Sequence, residues 1–402
     1  MYTCFRKYRE GYEMTEKLYY TDPYQTEFTA EVLECSEHKK GYGIRLSATA
    51  FFPEGGGQPY DTGLLQDVRV LEVHEKDGEV LHYTDRPLEV GSRVTGKIDW
   101  ERRFDLTQQH SGEHIVSGLI HAAFGYDNVG FHLGSDTVTI DFNGEITEDG
   151  MREIEDRANA LIWKNVETHI FYPTPEELKT LAYRSKKKLT GAIRIVEFPG
   201  GDMCACCGTH VARTGEIGMV KLLSVEKFRD GTRMEMISGR RVLHYLNMVQ
   251  GQNQKISVLL SARPDRTADA VKHLSEENFR LKGRVLSAED RLFAQEARAL
   301  AGTGNVLLFE KNLDSDSVRK LAVAVMETCC GRCAVFSDNG DGTFKYAIGE
   351  KDGDLRDLVK IMNRTLNGRG GGKPFFAQGS VTAAEEEIRG FFKEQVPSFS
   401  VR

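Results

Sequence analysis

Two pairs of metal-ligand residue types, each with a spacing of four residues, constrain this chain more than any other feature. The first pair, His110 and His114, lies in a stretch that predicts a helix over residues 107–123, with Thr107 as its N-cap and Gly125 just after its end. Side chains four residues apart share one helix face, so both imidazoles can reach a single ion. Alone, the pair is weak evidence, because two histidines often meet by chance on a helix.

The second pair, Cys206 and His210, stands on a glycine-containing loop much later in the chain. With the first pair it would supply a tetrahedral set of nitrogens and one thiolate, which suits zinc better than calcium or magnesium. The sequence therefore predicts a zinc site, against the simpler interpretation of polar histidines beside a structural thiol. A closed structural zinc is a further alternative, although its ligands usually come as short-spaced pairs on knuckles. Glu113 also completes the HxxEH pattern of inverzincin metallopeptidases, but no third, carboxylate ligand is identifiable.

Composition limits the classes of function. The length of 402 residues predicts about two or three domains. The net charge of −7 and the pI near 6.0 do not indicate a nucleic-acid binder. Any RNA contact would need a local basic patch. The best candidate is the run Arg184, Lys186, Lys187 and Lys188, which otherwise forms a solvated face. The eight cysteines are clustered, and no signal peptide or apolar run of membrane-spanning length is present, which favours a reducing cytoplasm.

The pattern along the chain predicts an α+β multidomain protein. Residues 1–13 form a leader that is either disordered or a wrongly assigned start. Residues 14–100 alternate apolar and polar side chains in short runs, which predicts a small β-barrel or sandwich. The remaining segments predict an α/β unit that carries both metal-ligand pairs (101–240), a helical stalk (241–302) and a compact α/β domain (303–402).

Three consecutive glycines, Gly55, Gly56 and Gly57, precede Gln58 inside the predicted barrel. Such a run costs backbone entropy and needs a structural or functional reason. A loop whose bare backbone approaches a ligand and a tight barrel corner explain it equally well. A second glycine-rich loop, Gly370, Gly371, Gly372 and Lys373, suits either a phosphate backbone or a close packing contact.

The predicted stalk carries apolar residues at alternating three- and four-residue steps, from Val271 to Leu292, as in heptad positions a and d. Polar Asn278 within this series is a residue type that fixes register. A dimer stalk and an intramolecular spacer are about equally consistent with the pattern. After the stalk, Cys329, Cys330 and Cys333 resemble part of a metal site, but without a second ligand pair nearby they are better interpreted as core thiols.

The motifs together resemble a known family. The pattern GGGQPxDxG at residues 55–63, HxxxH, CxGTH at residues 206–210 and the TGEIG at residues 214–218 resemble the editing domain of alanyl-tRNA synthetase and its free-standing relatives, the AlaX trans-editing proteins. The tail GGGKPFFAQG at residues 370–379 resembles the DHHA1 domain that ends the synthetase. The order of the motifs matches the long AlaX type, which has a stalk and a DHHA1 domain.

The resemblance implies zinc-dependent hydrolysis of the ester that joins a wrong amino acid, chiefly serine and secondarily glycine, to tRNA(Ala). An aminoacylation pocket built for alanine cannot strongly exclude the smaller glycine, or serine with its one added hydroxyl. A second, hydrolytic site must therefore remove the wrongly charged products. The resemblance further implies that the glycine-rich loop with Gln58 lines the pocket and separates serine from alanine, and that Asp141 lies near the site. The stalk would hold a tRNA-binding, dimerising DHHA1 domain. Because the family's aminoacylation core is absent, no amino-acid activation is expected.

One position departs from the family pattern, and two other functions stay open. Cys207 stands where the family has a glycine, directly after Cys206, and Cys204 lies two residues before Cys206. Another thiol ligand, or oxidation between these sulfurs, is therefore conceivable. The four-residue spacing to His210 favours Cys206 as the ligand. A non-catalytic tRNA-binding or synthetase-associated protein with a structural zinc is one alternative. The other is editing of serine on tRNA(Thr), against which the DHHA1-like tail argues. An open cleft shared by the zinc, Gln58 and the glycine loop would favour a hydrolase.

Overall fold

The computed structural model describes residues 14–185, 192–396 and 399–401. The chain divides into two compact units, Met1–Gln252 and Asn253–Arg402, and each is described by itself. The predicted leader at residues 1–13 and the basic residues Lys186, Lys187 and Lys188 lie outside the described residues. Among the helices that are described, none is long and apolar enough to span a membrane.

The first unit begins with a β-barrel. Six strands, β2, β3, β7, β6, β5 and β8, close the barrel in that order, and β1 pairs with β4 beside them. Buried apolar side chains such as Val32, Ile44 and Val94 alternate with polar neighbours and fill its interior. The elements are β1 (Glu16–Lys17), α1 (Leu18–Thr21), β2 (Glu27–His38), β3 (Gly41–Leu46), β4 (Ala48–Thr49), β5 (Gly63–Leu65), β6 (Val68–Lys76), β7 (Glu79–Thr84) and β8 (Arg93–Ile98).

The rest of the first unit packs a long helix, α2, against a second helix, α3, and a four-stranded sheet of order β14-β15-β10-β9. A three-stranded sheet of order β11-β12-β13 carries the cysteine loop. The elements are α2 (Trp100–Phe124), β9 (Asn128–Leu133), β10 (Val138–Phe142), α3 (Glu148–Trp163), β11 (His169–Phe171), α4 (Pro175–Leu178), β12 (Ile195–Phe198), β13 (Asp202–Ala205), a 3₁₀ helix (Thr214–Ile217), β14 (Val220–Phe228), β15 (Gly231–Ser238) and α5 (Arg240–Leu259), which crosses the boundary between the units.

The second unit has a six-stranded sheet of order β19-β20-β18-β17-β16-β21, with helices packed on it. This is the α/β domain that the sequence predicts after the stalk. The elements are a 3₁₀ helix (Pro264–Arg266), α6 (Thr267–Ala299), β16 (Asn305–Lys311), α7 (Ser315–Met326), β17 (Cys333–Asp338), β18 (Thr343–Gly349), α8 (Arg356–Thr365), β19 (Arg369–Lys373), β20 (Phe376–Thr382), α9 (Glu385–Gln395) and β21 (Phe399–Val401).

The predicted heptad positions lie on α6, and their apolar side chains are not buried there: Val271, Leu274 and Val285 are 48–56% exposed. Phe293 and Ala297, which follow the heptad series near the end of the helix, are buried against α7. The helices of the predicted stalk are therefore present, and the coiled-coil pairing stays a prediction.

The second glycine-rich segment is not a loop. Gly370, Gly371, Gly372 and Lys373 belong to β19, the exposed edge strand of the sheet, paired in register with β20. Strand pairing uses backbone groups alone, so glycines can form it without side-chain packing. A Cβ at Gly372 would lie 2.1 Å from the Phe376 carbonyl oxygen, which supports the close-packing explanation of the run.

Candidate metal centre and its cleft

Helix α2 begins at Trp100, whereas the sequence predicts a start at residue 107. Asp99, and not Thr107, is the N-cap, because the Asp99 carboxylate accepts a hydrogen bond from the Arg102 backbone N–H. Thr107 lies inside the helix and donates to the Arg103 carbonyl oxygen at 2.8 Å. The predicted end is confirmed, since Gly125 has φ 72° and closes the helix.

A buried ion pair fixes α2 against the barrel. Arg103, on the first turns of the helix, and Asp61, after the glycine loop, are both fully buried, and their side chains are joined by hydrogen bonds. The guanidinium also donates to the Pro23 and Ala50 carbonyl oxygens. A buried charge pair requires such complete hydrogen bonding, so the orientation of the helix relative to the barrel is fixed.

The fold brings the four predicted metal ligands together. One ligand atom each from His110, His114, Cys206 and His210 lies within 4.8 Å of the others. Cys206 Sγ is 3.5 Å from His110 Nε2 and 3.4 Å from His210 Nε2. The imidazoles are at most 3% exposed, whereas Cys206 is half-buried. Three imidazoles and a thiolate in one cluster are a donor set that fits zinc.

Each imidazole is held through its Nδ1 atom by a polar side chain. These contacts are His110 to Gln58 Oε1 at 2.9 Å, His114 to Asp202 Oδ2 at 2.9 Å and His210 to Ser111 Oγ at 3.3 Å. Such partners fix the ring tautomer and leave Nε2 for a metal ion. The geometry is therefore that of a supported metal site.

The lowered pKa values of Cys206 and His210 favour the deprotonated forms that bind a metal ion, whereas the raised pKa of His114 favours its protonated form, whose proton a metal ion would have to displace. Burial raises the pKa of the Cys206 thiol, but the imidazoles of His110, His114 and His210 outweigh it, so that the pKa lies well below its usual range. Burial lowers the pKa of His210 to about 3. Burial also disfavours the charged form of His114, but Cys206 and Asp202 hold its pKa well above the usual value. A thiolate that attracts a cation is thus present at the centre of the cluster.

Cys204 differs from Cys206 in its surroundings. Burial raises the pKa of the Cys204 thiol to about 11, although its sulfur lies near His114 and Asp202. A protonated thiol is a poor ligand, so Cys206 is the favoured sulfur donor. Cys207, the residue that departs from the family pattern, is exposed.

The first glycine run forms a tight turn at the cluster. Gly55 and Gln58 exchange backbone hydrogen bonds of 3.1 and 3.0 Å, and Gly56 and Gly57 between them have φ of 62° and 86°. Two positive φ angles in succession require glycine or a residue that tolerates the left-handed region. A Cβ at Gly57 would lie 2.4 Å from the Phe131 ring. The tight-turn explanation therefore holds. Gly56 and Gly57 also line a cleft, and close approach of their backbone to a ligand stays a prediction.

Gln58 itself is fully buried behind the turn. Its Oε1 accepts from His110 Nδ1 and from the Thr209 backbone N–H, and its Nε2 donates to Thr209 Oγ1 at 2.9 Å. Gln58 therefore positions His110 and the cysteine loop.

The cysteine loop is held close to α2. A Cβ at Gly208 would lie 2.1 Å from His110 Cε1, so a glycine is needed there. Arg194 Nη1 donates to the carbonyl oxygens of Cys206 and Gly208 at 2.9 and 3.1 Å. The sequence analysis missed Arg194, although an isolated charge within the apolar run before the cysteines was a usable signal.

The cluster opens into a cleft of about 1100 Å³. His110, His114 and Cys206 form part of its wall, together with Gly56 and Gly57 of the turn. The cleft is also lined by Asn128, Phe131, Arg184, Arg194 and Cys207. The volume is in the range of small-molecule sites, so the cluster faces a space that can hold a ligand.

Family models match three parts of the chain. They are "tRNA synthetases class II (A)" at residues 3–102, "Threonyl and Alanyl tRNA synthetase second additional domain" at residues 193–233, and "DHHA1 domain" at residues 302–396.

Curated relatives extend over nearly the whole chain. The alanyl-tRNA editing protein Aarsd1 of Danio rerio is 29% identical, over 93% of this chain and 96% of its own length. The alanyl-tRNA editing protein AlaX-L of Pyrococcus horikoshii is 27% identical over the same shares. This chain belongs to the long-form AlaX family. The alanine–tRNA ligase of Ignicoccus hospitalis is 30% identical over 91% of this chain, which spans only 41% of that ligase.

Two residues that the sequence of this AlaX-family chain singles out, Asp141 as a site residue and Arg184 as a candidate phosphate contact, are each held in an ion pair. Asp141 on β10 pairs with Arg233, with N–O distances of 2.7 and 2.8 Å, and is not among the described lining residues of the cleft. Arg184 lines the cleft, but its guanidinium is bound to Asp202 at 2.7 and 2.8 Å. The charge of Arg184 is therefore already balanced by a carboxylate.

Asn128 is the second lining residue that the sequence analysis missed. It is the first residue of β9, and 7% of its surface is exposed. Nothing in the local sequence, an asparagine between an aspartate and a valine, signals its place in the cleft. Only the tertiary packing of β9 beside α2 brings it there.

Proposed function

We propose that this chain is a trans-editing aminoacyl-tRNA deacylase that hydrolyses the ester of mischarged tRNA(Ala). Seryl-tRNA(Ala) is the chief substrate and glycyl-tRNA(Ala) the second, and the reaction takes place in the cytoplasm without ATP. The observation that carries the proposal is the His₃Cys cluster in the wall of a cleft of about 1100 Å³. Relatives named alanyl-tRNA editing proteins match this chain along almost their entire length.

Zn²⁺ is the cofactor of this proposal, held by His110, His114, Cys206 and His210. When bound, it supplies Lewis-acid chemistry, polarising an ester carbonyl or activating a water molecule. Gln58, Asp202 and Ser111 hold the three rings with their Nδ1 atoms occupied. The protein thus contributes a fixed donor geometry and a walled space for the aminoacyl end.

A structural zinc is the less favourable alternative. A closed structural site has no access to a space for a ligand, whereas three of the four ligand residues here line the cleft. The glycine turn lines the same cleft, and a purely structural site does not require such a space. These features support hydrolysis over a non-catalytic tRNA-binding module.

The tRNA partner is assigned from the second unit. The DHHA1 match at residues 302–396 and the alanyl names of the relatives favour tRNA(Ala) over tRNA(Thr). Candidate phosphate contacts are Lys186, Lys187 and Lys188, with a second group at Gly370, Gly371, Gly372 and Lys373. Arg184 is the weakest candidate, because Asp202 already binds it.

A homodimer through α6 is part of the proposal. Val271, Leu274, Leu281 and Val285 share the predicted heptad face and are 44–56% exposed. Apolar residues at this spacing pair with a second helix of the same kind.

The experiment that tests the function is deacylation of purified seryl-, glycyl- and alanyl-tRNA(Ala), with seryl-tRNA(Thr) in parallel. The protein is loaded with zinc, and the metal content of every sample is measured. We expect rapid loss of serine, retention of alanine, and little action on tRNA(Thr). His110→Ala should abolish zinc binding and hydrolysis. His169→Ala is the matched control, because His169 is an exposed histidine paired with Glu197. Bound zinc with no hydrolysis of any ester would leave a tRNA-binding module.

A further inference from the structure

The sorting of serine from alanine needs a polar group that the structure leaves available. Gln58, the residue that the family resemblance suggests, is fully buried, and its carbonyl oxygen already accepts two hydrogen bonds, from His110 and Thr209. An acceptor that two donors of the protein already occupy does not gain a partner when serine enters. Selection must come from elsewhere in the cleft.

Asn128 has the properties that Gln58 lacks. It lines the same cleft as His110 and His114, and it is more than nine-tenths buried. Its Nδ2 donates to Glu113 Oε1 and, at 3.2 Å, to Ser117 Oγ, which itself donates to Glu113 at 2.6 Å. These bonds fix the orientation of the amide, because both are donated by the Nδ2 atom.

The other side of the amide is unpaired. Asn128 Oδ1 is buried and has no hydrogen-bond partner. Buried polar atoms nearly always have a partner, since losing water without a replacement is costly. An unpaired acceptor in the wall of a ligand cleft is therefore best explained by a donor that the ligand brings.

The position of Asn128 suits contact with the side chain of the substrate's amino acid, which lies next to the reacting ester. Its partners Glu113 and Ser117 lie on α2, within one turn of His110 and His114. Residues three apart on a helix are neighbours, so Glu113 lies next to His110 and Ser117 next to His114, and Asn128 lines the same cleft as both imidazoles. The hydroxyl of serine is two bonds from Cα, and the α carbon is bonded to the ester carbonyl that the metal centre would act on.

We propose that Asn128 Oδ1 accepts the hydroxyl hydrogen of the seryl group and makes the site select serine over alanine. The inference rests on the proposed function and deepens it. Alanine and glycine carry no side-chain donor, and binding either one leaves Oδ1 unpaired. A site built to hydrogen-bond a substrate hydroxyl discriminates strongly against analogues that lack it. Asn128 is thus a specificity-determining residue, and the neighbouring carboxylate of Glu113 holds its amide in register.

The test compares substrates within one variant. In Asn128→Leu the acceptor is lost, and kcat/KM for seryl-tRNA(Ala) should fall about tenfold to hundredfold, while that for glycyl-tRNA(Ala) changes by less than about threefold. Asn159→Leu is the matched control. Asn159 is a buried asparagine whose amide oxygen and nitrogen are both bonded within the protein, so its loss should affect both substrates equally.

A binding measurement separates recognition from hydrolysis. Seryl and alanyl amides of 3′-amino-3′-deoxyadenosine cannot be hydrolysed as esters, and their affinities are measured by calorimetry. The wild-type protein should bind the seryl amide at least about tenfold more tightly, and Asn128→Leu should bind both alike. Equal loss on seryl and glycyl substrates, or an unchanged serine preference in Asn128→Leu, would overturn the inference. Absence of any deacylation by the wild-type protein would instead reject the proposed function.

Discussion

Two cysteine-rich segments of the molecule have similar sequences and opposite surroundings. The cleft loop, residues 204–210, contains Cys204, Cys206 and Cys207, and the core loop, residues 329–333, contains Cys329, Cys330 and Cys333. In the cleft loop three imidazoles lower the pKa of the Cys206 thiol against the effect of burial. In the core loop, burial among apolar side chains raises the pKa of Cys333. The partners that the fold supplies, and not the spacing of the cysteines, decide which loop can bind a metal.

The largest difference is expected when one buried sulfur is removed from each loop. Cys206→Ala should lose stoichiometric zinc and more than about a hundredfold of the deacylase activity, because a ligand is missing. Cys333→Ala should keep both and lose only about 1 kcal/mol of unfolding free energy from packing. Metal analysis, deacylation kinetics and thermal unfolding check the pair. Full zinc occupancy in Cys206→Ala would remove the distinction between the loops.

The next effect concerns the carboxylate behind the cleft loop. Asp202→Asn weakens the support of His114, and zinc affinity should fall about tenfold to a hundredfold, as for other residues that orient metal ligands. Competition with a chromogenic chelator measures it. Glu197→Gln is the control, since Glu197 holds a histidine ring in the same manner, and that histidine, the exposed His169, is not one of the four clustered residues. An equal loss in both variants would show that the Asp202 contact has no special role.

A glycine in each loop gives a third test. A Cβ at Gly208 would collide with His110 at 2.1 Å, and one at Gly331 with the Gly304 backbone at 2.5 Å. Gly208→Ala should reduce zinc affinity and activity by about tenfold, because it displaces a ligand ring. Gly331→Ala should instead cost about 1–3 kcal/mol of stability in the second unit, with zinc binding intact. Normal zinc affinity in Gly208→Ala would mean that His110 can move freely.

The smallest effect is the pH dependence of thiol alkylation in metal-free protein. With its lowered pKa, Cys206 should keep more of its thiolate than an ordinary thiol as the pH falls from 8 to 6, so its rate should fall less steeply. Burial raises the pKa of Cys329 and Cys333, so both should stay unmodified until the protein unfolds. Site-resolved mass spectrometry reads each cysteine separately. A steep, roughly tenfold fall in the Cys206 rate per pH unit would indicate an ordinary thiol.

Local signals in the sequence predict the elements of the site better than their boundaries. The HxxxH helix is present, but its start was wrong, because Trp100 continues the apolar alternation of Val94 and Ile98 and reads as strand. The decisive evidence, the Asp99 cap and the burial of Arg103, is a matter of tertiary contact. Cysteine and histidine spacing identified the four residues that the fold brings together, since such pairs leave a local pattern, and their role as metal ligands stays a prediction.

The supporting residues left no such pattern. Gln58, Asp202 and Ser111 come from different parts of the chain, and only the fold shows that each holds one imidazole. Asn128 is recognisable only from the unpaired oxygen that packing creates. The glycines of β19 were misjudged as a loop for the converse reason, because strand pairing there depends on the neighbouring strand and not on side chains.

The contacts of Gln58 determine when the metal centre can be completed during synthesis. Gln58 is separated by 52 residues from His110 and by 151 from Thr209, which it binds in the finished fold. Contacts of such long range form late, after the intervening chain has been made and has closed its loops. The barrel is synthesised well before Cys206 and His210. In the proposed zinc-bound protein, completion of the four-residue cluster would therefore have to wait for the cysteine loop, and metal occupancy would report that the amino-terminal barrel and this loop have come together.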